Sequence, residues 1–458
     1  MSVIDSWPAL AEKAGGQLAR SGSALPERVV TDSRAVTPGD FFVALKGERQ
    51  DGHDFLKDVA ARGAVGALVD RAVDGLPATF GLVRVTDTLA GLQAWAAAHR
   101  KQLNPRIIGI TGSNGKTTTK EMIAHLLRAG GKSVYATRGN LNSQVGLPLS
   151  LLELRAEHTH AVIEMGASAA GDIARLAAMA RPAIGVLTGI GRAHLATFGS
   201  LEGVARAKWE LIESLGTEGL AFLNIDDERI AARRKSAACS VVTFGQSDGA
   251  DVRAVNPRQD PHTAFDLVVA GARRTIRLPV PGLFNVTNAL AAAAVALWER
   301  MNLLDVASAF SSFTAPAQRM QMKRRADGSL FLINAYNANP DSMAAGLDSF
   351  VAAFPHWPRV AVVGSMLELG ETAEPEHRAL GARLARLPLD AVFFVGPEHA
   401  WVRDGYESAG GKAPLTATDE RAAVRDALGK VLTPDTSVFF KGSRGARLEE
   451  IYEPFLKE

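Results

Sequence analysis

Residues 109–122 read GITGSNGKTTTKEM: an apolar approach, two glycines, a lysine and a run of threonines. A strand, a glycine loop and a helix start in that order build a phosphate cradle. Gly112 and Gly115 allow tight turns and close backbone approach, so main-chain N–H groups from Thr111 through Thr118, with Ser113 and Asn114 between, can face phosphate oxygens. Lys116 can reach the outer phosphates, and the Thr117 hydroxyl can ligate Mg²⁺. The usual loop, G-x-x-x-x-G-K-S/T, asks for glycine at position 110, where this chain has Ile110. No Asn-Lys-x-Asp motif for reading guanine is present, so the expected nucleotide is ATP.

Outward from the loop, short apolar runs alternate with helical patterns: RIIGI (106–110), HAVIEM (160–165), PAIGVLT (182–188) and GLAFLNI (219–225). Such alternation predicts an α/β fold with a mostly parallel sheet, whose ligands gather at the carboxyl ends of the strands. The residues after these runs are therefore candidates. Glu164 ends one run and is either a sheet-edge ion-pair partner or a Mg²⁺ ligand; the adjacent glycine loop favours the ligand. His194 closes the loop TGIGRAH, and Asp226-Asp227 follow Ile225.

The alternation repeats in LFLINAYN (330–337), RVAVVGSM (359–366), LDAVFFVG (389–396) and TSVFFKGS (436–443), which predicts a second α/β domain. Expected boundaries are 1–103, 104–315 and 316–458, with a hinge near Pro316. In the first segment, Pro38-Gly39 marks a turn before a strand at Phe41 to Leu45, and DFLKDVAARGAVGALVD (54–70) reads as helix, glycine stop and strand.

Composition excludes several classes. Lys and Arg number 51 against 49 acidic residues, with no basic block, so nucleic acid is not the expected partner. Cys239 is the single cysteine, which rules out intramolecular disulfides and cysteine-based zinc sites and fits a reducing compartment. The start, MSVIDSWPAL, lacks a secretory pattern. The uncharged stretch Leu278 to Trp298 contains Pro279, Pro281, Gly282, Asn285 and Asn288, so it reads as a turn and a buried helix and not a membrane span. The expected location is cytoplasmic.

Lys208 breaks a pattern. In SLEGVARAKWELIESLG (200–216), Leu201, Val204, Ala205, Leu211, Ile212 and Leu215 form one helical stripe, and Lys208 falls in its middle. A core-facing lysine is costly unless paired or modified. Either it snorkels to the surface, or its nitrogen lies beside the nucleotide site. NAYNANPDSM (334–343) follows a strand with more polar side chains than a turn needs, and Lys441 and Arg444 in FKGSRGARLEE (440–450) can hold a carboxylate.

Together, TGSNGKTTTKEM (111–122), DSRAVTPGDFFVALKGERQDGHDF (32–55), GNLNSQVGLPLSLL (139–152), AVIEMGAS (161–168), AHLATFGSLEGVARAKWEL (193–211), YNANPDSM (336–343), MLELG (366–370) and KGSR (441–444) resemble the Mur ligases. That family's loop lacks the early glycine, which accounts for Ile110. The resemblance spans about residue 30 to 450 and is nearest to the branch that adds D-Ala-D-Ala. It implies a three-domain architecture: an N-terminal UDP-sugar-binding domain, a central P-loop ATPase-like domain, and a C-terminal Rossmann-like domain for the incoming dipeptide. It implies ATP-dependent joining of D-Ala-D-Ala to UDP-MurNAc-tripeptide through an acyl phosphate and a tetrahedral intermediate, by a chain expected to be a monomer.

By the same resemblance, Thr117 and Glu164 hold one Mg²⁺, and His194 helps hold a second with Lys208 as a carbamate. Lys116, His194 and Lys208 are the implied catalytic residues. Asn285 and Asn288 match the adenine-contacting region, Arg319 approaches the phosphates, and Asn334 and Tyr336 face the nucleotide. Ser33 and Arg34 match a UDP-sugar motif; Asn140, Asn142, Gln144, Asn337, Asn339, Lys441, Ser443 and Arg444 match substrate contacts. The chain departs from its relatives at Asn334, where Asp is usual, at Phe284, where His is frequent, and in PAQRM (316–320), which replaces Pro-Gly-Arg. The alternatives are a sister ligase, either the preceding Mur ligase or a folylpolyglutamate synthetase, and a nucleotide-binding regulatory protein without catalysis. The preceding ligase's Asp-Asn-Pro-Arg motif is absent.

Overall fold

The computed structural model describes residues 6–192 and 195–457, the side chains of residues 195 and 196 excepted. Among the described residues the strands form three sheets, of five, nine and six strands. In the first, Gly81–Arg84, Gly66–Val69, Asp40–Val43 and Arg28–Val30 run parallel, and Gln17–Arg20 pairs antiparallel at one edge. The strand expected to reach Leu45 ends at Val43, because the Leu45 N–H turns back onto the Val43 carbonyl. Helix Leu56–Ala61 stops before Gly63, which takes φ +94°, a conformation open to glycine at no steric cost.

The central sheet is laid out around the strand Arg106–Thr111. His160–Glu164 and Val134–Ala136 lie on one side of it; Ile184–Leu187, Leu220–Asn224 and Ser240–Gly245 lie on the other, all parallel. The chain order thus reverses at Arg106–Thr111, and a crevice opens at the carboxyl ends there. Beyond Ser240–Gly245 the sheet continues with Val252–Asp260, His262–Val269 and Ala272–Leu278, the last two antiparallel. The apolar runs do not announce these three strands. One face is solvated, as in Ala272–Leu278, and Pro257 and Pro261 interrupt the pattern at a bulge and a turn.

Helix Phe284–Trp298 is buried, as expected of the alanine-rich segment. Its small side chains lie in one core with Met122, Ile123, Leu126 and Leu127 of helix Lys116–Ala129, so the helix that begins at the glycine loop has a closely packed neighbour. No described helix is long and apolar enough to cross a membrane. In the third sheet, Ser437–Lys441 inserts between Leu330–Ile333 and Arg359–Gly364, with Ala391–Val395 and Leu415–Thr418 beyond. Gln321–Arg324 closes the other edge antiparallel.

Candidate active site

The glycine loop leaves Arg106–Thr111 and enters helix Lys116–Ala129 with two left-handed turns of backbone, Gly112 at φ +148° and Gly115 at φ +82°. Both are sterically locked. A Cβ on Gly112 would sit 2.1 Å from Thr188 Oγ1, and one on Gly115 would sit 2.3 Å from Asn288 Oδ1. Alanine at Gly115 meets that clash in addition to left-handed strain of about 1–2 kcal/mol. We expect Gly115→Ala to weaken nucleotide binding about tenfold or more with helix content preserved. Titration calorimetry with ADP and far-ultraviolet circular dichroism check this; unchanged affinity would contradict it.

Lys116 Nζ donates to the carbonyls of Gly112 (2.7 Å) and Ser113 (3.1 Å), so the lysine folds over the loop. Burial lowers its pKa, Glu164 opposes that shift and Arg319 adds to it. The next residue, Thr117, donates from Oγ1 to Glu164 Oε2 at 2.7 Å. Asn142 Nδ2 donates to the other carboxylate oxygen at 2.7 Å. Glu164 ends strand His160–Glu164 and is 3% exposed. A hydroxyl and a carboxylate meeting beside a phosphate loop fit Mg²⁺, which takes one or two protein oxygens and completes its shell with phosphate oxygens and water. Among the described residues there is no group of three or more His, Cys, Asp or Glu placed to hold a metal. His194 lies outside the described residues.

Lys208 is 2% exposed on helix Leu201–Glu213, and its nitrogen lies 5.7 Å from the Phe198 ring centroid. It lines the cavity, so it does not snorkel to the outer surface. Burial, and then the like charge of Lys116, push its pKa down to about 7; Asp172 and Glu210 pull the other way.

Asn285 and Asn288 stand in the first turns of Phe284–Trp298 and are fixed by their neighbours. Asn288 Oδ1 accepts from Thr119 Oγ1 (3.2 Å), its Nδ2 donates to Asn285 Oδ1 (3.0 Å), and Asn285 Nδ2 donates to the Pro281 carbonyl (2.8 Å). The pair therefore ties the glycine-loop helix to the far wall of the cavity. From the third sheet, Arg319 lies over the Tyr336 ring at 4.2 Å. Burial lowers its pKa against the pull of Glu164.

Lys441 ends the strand Ser437–Lys441, is 2% exposed, and donates to the Asn337 carbonyl at 3.0 Å. Burial, then Arg319, push its pKa down to about 7. An unfolded chain keeps this lysine protonated up to about pH 10.4. Between these values the unfolded state binds more protons, so this residue's contribution to stability rises with pH. We expect Lys441→Met to show a smaller rise in denaturant midpoint from pH 7 to 9 than the unsubstituted protein. Equal slopes would mean that Lys441 stays charged in the fold.

One cavity of about 890 Å³ joins these elements. From the loop and its helix it is lined by Ser113, Asn114, Gly115, Lys116, Thr117 and Thr118. Glu164 of the central sheet, Asn142 and Gln144 of a loop and Lys208 of helix Leu201–Glu213 line another part, and Asn285 and Asn288 one side. Arg319, Asn334, Tyr336, Asn337, Asn339 and Lys441 come from the third sheet and its connections. The other expected residues lie elsewhere. Thr111 is buried beneath the loop, with Oγ1 donating to the Met165 carbonyl, and Gly112 forms the turn. Ser33 and Arg34 belong to the 3₁₀ turn Ser33–Ala35, where Asp32 takes up the Arg34 guanidinium at 2.9 Å. Asn140 is exposed. Ser443 is buried and joins two loops through the Ala338 carbonyl and the Leu367 N–H, and Arg444 is paired with Glu449 at 2.8 Å.

The cavity also takes in Thr188, Asp172 and Asp341, which were not among the expected residues. Thr188 carried a signal, since it ends an apolar run. The two aspartates sit in first turns of helices, Asp172–Ala180 and Pro340–Ala353, where an acidic residue is ordinary and points to nothing further.

Comparison with known proteins gives a consistent picture. Residues 110–296 match the Mur ligase middle domain, residues 318–444 the Mur ligase glutamate ligase domain, and residues 27–113 the catalytic domain of the Mur ligase family. The UDP-N-acetylmuramoyl-tripeptide–D-alanyl-D-alanine ligase of Bacillus subtilis is 34% identical, across 94% of this chain and 93% of that protein. The crystal structure of MurF from Acinetobacter baumannii superimposes with a TM-score of 0.88 at 33% identity, covering 99% of each chain. The MurF ligase of Thermotoga maritima, solved in complex with ADP, gives 0.79 at 31% identity, covering 94% of this chain and 97% of that one.

Proposed function

The chain belongs to the Mur ligases, in the branch that joins D-alanyl-D-alanine to UDP-N-acetylmuramoyl-tripeptide, and we propose from that premise how its cavity carries the reaction. The enzyme is an ATP-dependent amide ligase of peptidoglycan precursor synthesis. The observation that carries the mechanistic reading is the meeting of Thr117, Glu164 and the phosphate loop in a cavity whose opposite wall is built by the third sheet.

The loop N–H groups and Lys116 receive the phosphates of ATP. Lys116 leaves its loop carbonyls for the γ-phosphoryl group and offsets the charge that spreads over it during transfer. The tripeptide carboxylate attacks that phosphorus in line, ADP departs, and the carboxyl becomes an acyl phosphate. The neutral amine of D-Ala-D-Ala adds to the acyl carbon, its nitrogen gives up one proton to solvent, and the tetrahedral intermediate expels phosphate to leave the amide. Asn142 holds the Glu164 carboxylate in place from the far side. Mg²⁺, held by Thr117 and Glu164, would supply a Lewis acid for the transferring phosphoryl group. Arg319, stacked on Tyr336, faces the same group from the third sheet, and Asn285 and Asn288 border the adenine end.

A buried lysine with its pKa near 7 holds a large neutral fraction, which carbamylation requires: the amine takes up CO₂ and releases a proton, and the cation becomes an anion. We assign Lys208 this role toward a second Mg²⁺, which His194, outside the described residues, would help to hold. Residues 1–103 then hold the UDP-sugar through Ser33 and Arg34, 104–315 the nucleotide, and 316–458 the dipeptide. A monomer in the cytoplasm completes the reading.

The test is phosphate release from ATP with UDP-MurNAc-tripeptide, with and without D-Ala-D-Ala. Release that needs both substrates supports the mechanism. Release that ignores D-Ala-D-Ala but answers to a free amino acid, or to folate with glutamate, would overturn it.

A further inference from the structure

Arg192 leaves the loop after strand Ile184–Leu187 and crosses to the third sheet's connections. Its backbone N–H donates to Asp341 Oδ2 at 2.8 Å, its Nε to Asp341 Oδ1 at 2.9 Å, and its Nη2 lies 2.8 Å from the same oxygen. Its Nη1 donates to Glu376 Oε1 at 2.7 Å. One guanidinium thus holds two carboxylates on two helices, Pro340–Ala353 and Ala373–Arg386. Beside it, Asn339, the N-cap of Pro340–Ala353, donates from Nδ2 to Asn114 Oδ1 of the phosphate loop at 3.0 Å. Gly191 exchanges hydrogen bonds with Ser113 of the same loop, at 2.8 Å and 3.0 Å.

Stability does not account for this arrangement. The Arg192 side chain is 40% exposed and Asp341 is 36% exposed, and ion pairs of that exposure contribute little. Their geometry does more. Asn339, Asp341 and Ser342 line the reaction cavity, as do Ser113, Asn114 and Gly191 across from them. Arg192 does not line it. The planar fork fixes orientation as well as distance, which a point charge does not. We infer that Arg192 is a positioning residue that holds the first turn of helix Pro340–Ala353 against the phosphate loop, so that the acceptor half of the cavity stays in register with the half that activates the carboxyl group.

This inference rests on the ligase reading, and the experiment separates the two. Arg192→Gln, Arg192→Lys, Glu376→Gln and the Arg192→Gln/Glu376→Gln double variant are assayed for phosphate release with both substrates and for ADP affinity. Misplacement of reacting groups by about 1 Å costs up to about a hundredfold. Arg192→Gln is expected to lower kcat/KM for D-Ala-D-Ala by about ten- to a hundredfold, with ADP affinity changed less than about twofold. Arg192→Lys should recover part of the loss. Glu376→Gln should lose less, and the double variant should match Arg192→Gln alone, because the Glu376 arm acts only through Arg192. Full activity in Arg192→Gln overturns the inference, as does additive loss in the double variant, or weakened ADP binding in proportion to turnover. If the unsubstituted protein shows no D-Ala-D-Ala-dependent release, the ligase reading fails first.

Discussion

Phosphate release is expected to fall about a thousandfold or more when Lys116 is replaced by methionine, with both substrates present and nucleotide binding reduced far less. The size follows from where the charge acts. Spread over the equatorial oxygens of the transferring group, negative charge develops at the transition state, and fixed cations in a dry site stabilise it there more than in the ground state. Single charged groups aimed at such a transition state contribute on the order of 10³ to 10⁵ in rate. Methionine keeps the side-chain stem and removes the ammonium, so packing in the loop is retained. The loop amides and Gly115 remain to bind phosphate, which is why affinity should change less than turnover. Arginine should not restore the rate, since the guanidinium is larger than the ammonium that fits over the Gly112 and Ser113 carbonyls. Steady-state release and ADP calorimetry on the same preparation decide the matter. A loss below tenfold would remove Lys116 from the chemical step.

Lys208→Met should separate activity from stability. The side chain is 2% exposed, and methionine matches its stem without the cost of burying an amine. Thermal stability of the substrate-free protein is therefore expected to hold or rise, while turnover drops by about a hundredfold or more, the range for losing one electrostatic group from the site. Lys208→Ala should lose the same activity, and a small carboxylate such as formate should return part of it by occupying the place of the carbamate. Labelled CO₂ should give a carbamate signal in the unsubstituted protein that both variants lack. Turnover that survives either replacement would overturn the assigned role. A Lys208→Met protein that unfolds at lower temperature would show that the buried amine is structural after all.

The legibility of this site divides along physical lines. Glycine spacing, the lysine and threonine after it, and the carboxylate ending a neighbouring strand were readable because they depend on local backbone geometry and on short chain segments. Lys208 was readable for a related reason: helical periodicity makes a charged residue on an apolar stripe visible without any knowledge of its neighbours. The hairpins after Val252 escaped the same kind of reading, since strands solvated on one face and broken by proline lack an apolar run.

By itself, then, the sequence determined the α/β class, the phosphate loop, the family and the anomaly at position 208, each of which rests on short local patterns, single or recurring in order along the chain. Tertiary structure alone decided which polar residues share the cavity. It brought Arg319, Tyr336 and Lys441 opposite Lys116 and enlisted Asp341. It also decided the clasp of Arg192 on two helices. Those outcomes depend on the placement of one sheet against another, which is set by packing over hundreds of residues, and a charged side chain in a loop carries no mark of the partner that such packing will bring to it.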